Sequence, residues 1–302
     1  MQDSIRYVQC PYSYVDQPEK KQKSSPYELL SSQLYERDHE FSDKNFQKAR
    51  RVSNQENILD SFSRIGRCLN HVGRNEIPKE GLDKVCLILM NNFQNEEYDK
   101  YNPQIGPMND GYLVGLIHHR LEFKIFYLHN CKQGSYPKWL QFFLSNTKID
   151  LTVFYSGHNK NGIEFKDNKF VSKDQLSKLI NENEECKCNT LFISDCSEGG
   201  SVFEINNEQE QEKENSHEEN KNKNQNKKMI SLSIKKSNFL TSKESKRSHG
   251  IFTYYLCKYI YDQPNITPKR LSERVEPSIE RFKSHVICET TNDKLHDQPI
   301  FE

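Results

Sequence analysis

Leu151-Thr152-Val153-Phe154-Tyr155-Ser156-Gly157-His158 is an apolar run that stops abruptly in residues able to do chemistry. Thr190-Leu191-Phe192-Ile193-Ser194-Asp195-Cys196-Ser197-Glu198-Gly199-Gly200-Ser201-Val202-Phe203 repeats the pattern. Short continuous apolar runs suit strands covered on both faces. Open α/β sheets bind their ligands beyond the carboxyl ends of such strands. A histidine at one strand end and a thiol or hydroxyl at the next make a candidate nucleophile–base pair.

Strands and helices alternate on either side of these segments. Val85–Met90 and Phe123–Leu128 read as earlier strands, Leu151–Tyr155 and Thr190–Ile193 as the third and fourth, and Met229–Ile234 as a later one. Asn109–Leu121 reads as a helix with Leu113, Leu116, Ile117 and Leu121 on one side. Tyr136–Leu144 is a helix carrying the only tryptophan, Trp139, and Ser172 with Gln175 caps a helix over Asp174–Ile180. Gly162–Val171 reads as a hairpin around Asp167-Asn168. Such alternation implies a mostly parallel sheet with helices on both faces, a three-layer α/β/α sandwich. Right-handed crossovers then bring all the strand ends to one edge, so His158 and Ser197 are expected to be neighbours.

Downstream, Gly250–Tyr261 reads as an aromatic-rich helix, and Pro268 opens another along Leu271, Val275, Ile279 and Phe282, with Pro277 as a candidate kink. Gln298–Phe301 reads as an edge strand, where Pro299 is tolerated. Upstream, Ser53 and Glu56 form a capping box before the stripe Ile58, Phe62, Ile65, Leu69 and Val72, closed by Gly73. Residues 1–50 read as a loosely ordered arm with a short helix near Tyr27–Glu36. We therefore divide the chain into an N-terminal arm and helix, 1–80, and one domain, 81–302. Within the domain, Asn206–Lys228 is almost devoid of apolar residues and reads as a disordered insert between the fourth and fifth strands. Its Lys213, Lys221, Lys223, Lys227 and Lys228 offer sites to a trypsin-like peptidase.

Lys+Arg and Asp+Glu are equal at 43 each, so no global field points to nucleic acid or an anionic membrane. No apolar run approaches the ~20 residues of a membrane span, and Met1–Cys10 lacks the apolar core of a signal peptide. The nine cysteines are scattered without a Cys-x-x-Cys pair, which reads as thiols in a reducing, cytoplasmic compartment. Cys186-Lys187-Cys188 supplies too few ligands for a metal.

Four segments, in order, carry a family resemblance. Tyr155-Ser156-Gly157-His158 resembles the histidine motif of metacaspases, the caspase-like peptidases of plants, fungi and protists. Ser194–Ser201 resembles their cysteine motif, and Asp195–Phe203 aligns without gaps onto the related legumain pattern Glu-Ala-Cys-Glu-Ser-Gly-Ser-Met-Phe. Gly106-Pro107-Met108-Asn109-Asp110 resembles the Asn-Asp-Ala element before the first long helix, and Gly250-Ile251-Phe252-Thr253-Tyr254 the Gly-x-Phe-Thr segment. The resemblance spans Val85 to Phe301 and implies a caspase-like fold. It implies His158 as the base, cleavage after Arg or Lys, and pocket acids at Asp110 and Asp195 with Ser156 beside them. It also implies an oxyanion hole from Gly157 and the N–H of residue 197, and a calcium requirement for which no EF-hand-like spacing appears. Asp110 has a plainer reading, as cap of the helix it begins.

The departure from the family lies at the nucleophile, which falls on Ser197, while the thiol of Cys196 stands one place early. Along an extended strand, residues 195 and 197 face one way and 196 the other. Three readings stay open: a catalytically silent pseudopeptidase, a weak serine nucleophile at Ser197, or a backbone shift that brings Cys196 into play. Asn159 replaces the Gly usual after the family's histidine. The partners implied are a peptide or protein with basic residues, or an active metacaspase.

Overall fold

The structure is a computed structural model describing residues 5–9, 55–91, 106–157, 162–165, 169–196, 200–205, 228–235, 238–242, 248–280 and 284–301, with the backbone alone described at 5–9, 55–57, 238–242, 248 and 249. In chain order its elements are β1 (Ile5–Gln9), α1 (Gln55–Ser63), β2 (Gly66–Cys68), β3 (Lys84–Met90), α2 (Gly106–Arg120), β4 (Lys124–His129), α3 (Ser135–Asn146), β5 (Asp150–Gly157), β6 (Gly162–Glu164), β7 (Phe170–Ser172), α4 (Lys173–Asn181), β8 (Asn189–Cys196), β9 (Met229–Ile234), β10 (Asn238–Ser242), β11 (Ser248–Gly250), α5 (Ile251–Asp262), α6 (Pro268–Glu280) and β12 (Val286–Thr290).

A seven-stranded sheet runs β12-β9-β8-β5-β3-β4-β2. Six of its strands are parallel, and β12 closes one edge antiparallel to β9. The alternation of side chains sorts the core into two halves. Ile88, Phe154 and Ile193 point into one half with α1, α2, α5 and α6, whereas Leu87, Val153 and Phe192 point into the other with α3 and α4. The chain is therefore an α/β/α sandwich with a mostly parallel sheet, as the strand–helix alternation implies. α4 begins on the expected capping box, with Ser172 Oγ accepting the Gln175 N–H at 3.2 Å and Gln175 Oε1 the Ser172 N–H at 3.0 Å.

Two elements and one boundary differ from their expected form. α1 ends at Ser63, not near Gly73, and the chain re-enters the sheet as β2 beside β4. The cause sits at Gly66, where a Cβ would lie 2.9 Å from Ile125 Cγ2, so only glycine lets this strand approach β4 so closely. α1 and β2 precede the boundary drawn at residue 80, yet Ile58 and Phe62 are wholly buried in the core against α2. At the C-terminus Gln298–Phe301 forms no strand. Asp293–Asp297 is a 3-10 turn, Ile300 and Phe301 tuck into the core, and the edge strand is β12. Pro299 carries no N–H for a ladder, and the Ile300 N–H bonds the Ile266 carbonyl at 3.1 Å.

A second, three-stranded sheet has the order β1-β10-β11, so part of the N-terminal arm is a strand. The helix expected near Tyr27–Glu36, the insert over 206–227, the turn at 166–168 and the Ser53 cap all lie outside the described residues.

Candidate active site

β5 and β8 end side by side at the carboxyl edge of the sheet, in register Ser156↔Asp195 and Gly157↔Cys196. Ser156 and Asp195 therefore point to one face, and Cys196 to the other. On the first face α2 brings Asp110, the fifth residue of that helix. Asp110 does not cap its own helix with its described bonds: Oδ2 accepts the Ser156 hydroxyl at 3.1 Å and Oδ1 the Gly250 N–H at 2.7 Å. Asp195 Oδ2 accepts the Thr253 hydroxyl at 2.7 Å and the Thr253 N–H at 3.2 Å. Four elements, β5, β8, α2 and the β11–α5 junction, thus meet at two carboxyl groups, each 0% exposed.

Two buried acids at one point are electrostatically costly. Burial first, then the charge of Asp195, drives the Asp110 carboxyl well above the usual carboxylate range, against the opposing pull of the Gly250 N–H and the Ser156 hydroxyl. Two buried thiols belong to the same surroundings: burial raises Cys86 on β3, and burial followed by the charges of Asp110, Cys86 and Asp195 raises Cys257 on α5. Cys86 and Cys257 therefore stay neutral and bring the acids no positive charge. The arrangement stores negative potential in a low-dielectric site, where one cation is worth far more than in water.

Cys196 has the opposite surroundings. It is 1% exposed, belongs to the α3–α4 half of the core, and lies beside the buried phenols of Tyr136 and Tyr155. Gly157 ends β5 over the same Tyr155, whose Oη would stand 2.7 Å from a Cβ at position 157. His158, Asn159 and Ser197 are the next residues beyond the two strand ends, and they lie outside the described residues.

Asp110 and Asp195 accept their described hydrogen bonds from N–H and O–H donors, and among the described residues no group of three or more His, Cys, Asp or Glu could hold a metal such as the calcium the resemblance implies. Cys186 and Cys188 are buried with their sulfurs 4.0 Å apart and Thr190 Oγ1 against both. No helix among the described residues is long and apolar enough to cross a membrane.

Sequence reasoning gave no role to Gly250 and Thr253, although their segment was singled out. The available signal was local: a glycine N-cap has no side chain to offer, so the first turn of α5 must find its acceptor elsewhere.

The caspase-domain model of the C14 peptidases matches residues 83–295. A search of curated proteins by sequence returned no match. Among solved structures, the crystal structure of protein GSU0716 from Geobacter sulfurreducens is similar, with 10% identity over 72% of this chain and 97% of that one and a TM-score of 0.47. With the family model covering most of its length and a parallel sheet ending in the matching motifs, this chain belongs to the caspase-domain peptidase family.

Proposed function

We propose that this caspase-domain chain binds peptides through an Arg or Lys side chain at Asp110 and Asp195, with Ser156 beside them, and that it is deficient in cutting them because Ser197 stands in the nucleophile position. The carrying observation is the buried acid pair. Two carboxyl groups fixed by four neighbouring elements form a receptor for one cation, bidentately if the cation is a guanidinium. Insertion of a positive charge opposes the burial and, after it, the Asp195 charge that hold Asp110 toward its protonated form.

Deficiency follows from the chemistry of position 197. A thiol ionises near pH 8.5 and attacks even when only partly deprotonated. A serine hydroxyl needs a base in hydrogen-bond contact, itself oriented by a third group. A site built for cysteine need not contain that third group. The second reading is an active endopeptidase using His158 with Ser197 or with Cys196. The burial of Cys196, on the face away from Asp195, counts against its part in that reading. The partner is then a basic segment of another protein, or an active metacaspase.

Fluorogenic peptides ending in Arg or Lys, with and without calcium, test both parts. The native chain is expected to be silent and Ser197→Cys to cut after Arg and Lys, with His158→Ala abolishing that gain. Cutting by the native chain that His158→Ala abolishes would refute the deficiency. Cutting by Ser197→Cys after acidic or apolar residues would refute the basic pocket.

A further inference from the structure

Asp195 serves two elements at once. It ends on the acid pair with Asp110, and it also closes the first turn of α5. Gly250 is the N-cap of α5 and supplies no side-chain acceptor, so the N–H of Thr253, the third residue of the helix, is one of the donors a helix leaves over. Asp195, from β8, accepts it in place of the missing cap.

The helix needs only that N–H bond. The Thr253 hydroxyl adds a second and shorter one, 2.7 Å against 3.2 Å, to the same Oδ2. Two donors from one residue on one oxygen hold the rotation of the carboxylate about its Cβ–Cγ bond more tightly than the N–H alone. Thr253 is itself fully buried, so water does not compete for Oδ2 there. Gly250 makes the approach possible, because a Cβ there would overlap Asp195 Oδ2 and come within 3.1 Å of Asp110 Oδ2.

We propose that Thr253 is a positioning residue of the acidic pocket, whose hydroxyl orients Asp195 so that the pair selects a positively charged side chain. This rests on the reading of the pocket as a receptor for Arg or Lys. It assigns Thr253 to recognition and not merely to helix capping, and the two roles separate experimentally, because Thr253→Val keeps the N–H and the shape while losing the hydroxyl.

The test uses the full chain and a fluorescein-labelled hexapeptide with one central arginine, beside its citrulline twin, which has the same shape and no charge. Fluorescence polarisation reads both affinities, and thermal melting reads the fold. Thr253→Val is expected to lose about tenfold of the preference for arginine over citrulline, the worth of a hydrogen bond to a charged group. Citrulline binding should stay near native, melting should fall only by the few degrees that one lost buried hydrogen bond costs, and Thr253→Ser should restore the preference. A valine variant with undiminished arginine preference overturns the proposal, as does a serine variant that fails like valine. If valine does not fold, Thr253→Ala replaces it with the same expected and refuting outcomes. A native chain that binds the two peptides equally sinks the pocket reading itself and the proposal with it, a result distinct from failure of the variants alone.

Discussion

Acidification should weaken the fold through one identifiable residue, His118. It lies on α2, two turns beyond Asp110, and is 1% exposed. Its Nδ1 bonds the Val114 carbonyl at 2.8 Å and its Nε2 meets Thr152 Oγ1 at 3.0 Å. The first contact makes Nδ1 the donor, so Nε2 accepts from threonine and the ring is neutral. Phe123 and Phe301 pack edge-on at 5.0 and 5.4 Å. Burial lowers its pKa from 6.5 to about 4, against the smaller opposing pull of the Val114 carbonyl. The folded ring therefore stays neutral while the unfolded ring takes a proton below pH 6.5. Stability is unaffected above that value, falls as the pH drops from 6.5 to about 4, and levels off below. A difference of this size at about 1.36 kcal/mol per pH unit amounts to about 3 kcal/mol. Urea unfolding at half-unit pH steps, beside His118→Gln, isolates the effect, because glutamine makes similar hydrogen bonds without titrating. The native curve should lose about 1.4 kcal/mol per unit relative to the variant through this window. Parallel curves, or an NMR titration in which the folded His118 ring protonates near 6.5, would refute the reasoning.

Other expectations concern the core and the site. Phe62 packs on Tyr127 and Tyr112 with ring centroids at 4.3 and 5.5 Å, so Phe62→Ala should cost about 3–5 kcal/mol in denaturant unfolding; a loss under about 1 kcal/mol would mean that α1 is not part of the core. Asp110 has a folded pKa above its ordinary 3.8, so the stability it contributes is full below that value and drains as the pH rises through the folded one. Asp110→Asn should therefore be at least as stable as the native chain at pH 8 while losing the arginine peptide, and destabilisation there would contradict the electrostatic account. Cys196 should resist iodoacetamide in the native state and react on unfolding, as peptide mass spectrometry would show; rapid native labelling would place it at the surface.

The inner strands were legible because both faces of each are covered, so apolar residues run without interruption through Val85–Met90 and, but for Thr152, through Leu151–Tyr155. The edges were not. Val286-Ile287-Cys288-Glu289-Thr290 is half-exposed, pairs on one side only, and carries an apolar run of just three residues. α1 was read too long because Ile65 and Leu69 continue its helical spacing, while the close approach of Gly66 to Ile125 is a tertiary fact. The two acids were singled out in the sequence only by their places in the motifs that resemble the family's, not by any local pattern. Their donors were not, since Thr253 meets Asp195 across 58 residues and Gly250 meets Asp110 across 140.

The alternation along β8 bears most directly on catalysis. Leu191, Ile193 and Asp195 share the α2–α5 face, and Phe192 and Cys196 the α3–α4 face. For Cys196 to reach the acid pair, the strand would have to slip by one residue, and a slip reverses every side chain on it. Asp195 would then enter the apolar half occupied by Phe192, Tyr136 and Tyr155, and lose both bonds from Thr253. A buried carboxylate stripped of its partners costs about 3–5 kcal/mol, before Leu191 and Ile193 are displaced as well. The acid pair as it is bonded here and a Cys196 turned onto the same face are therefore mutually exclusive in this fold.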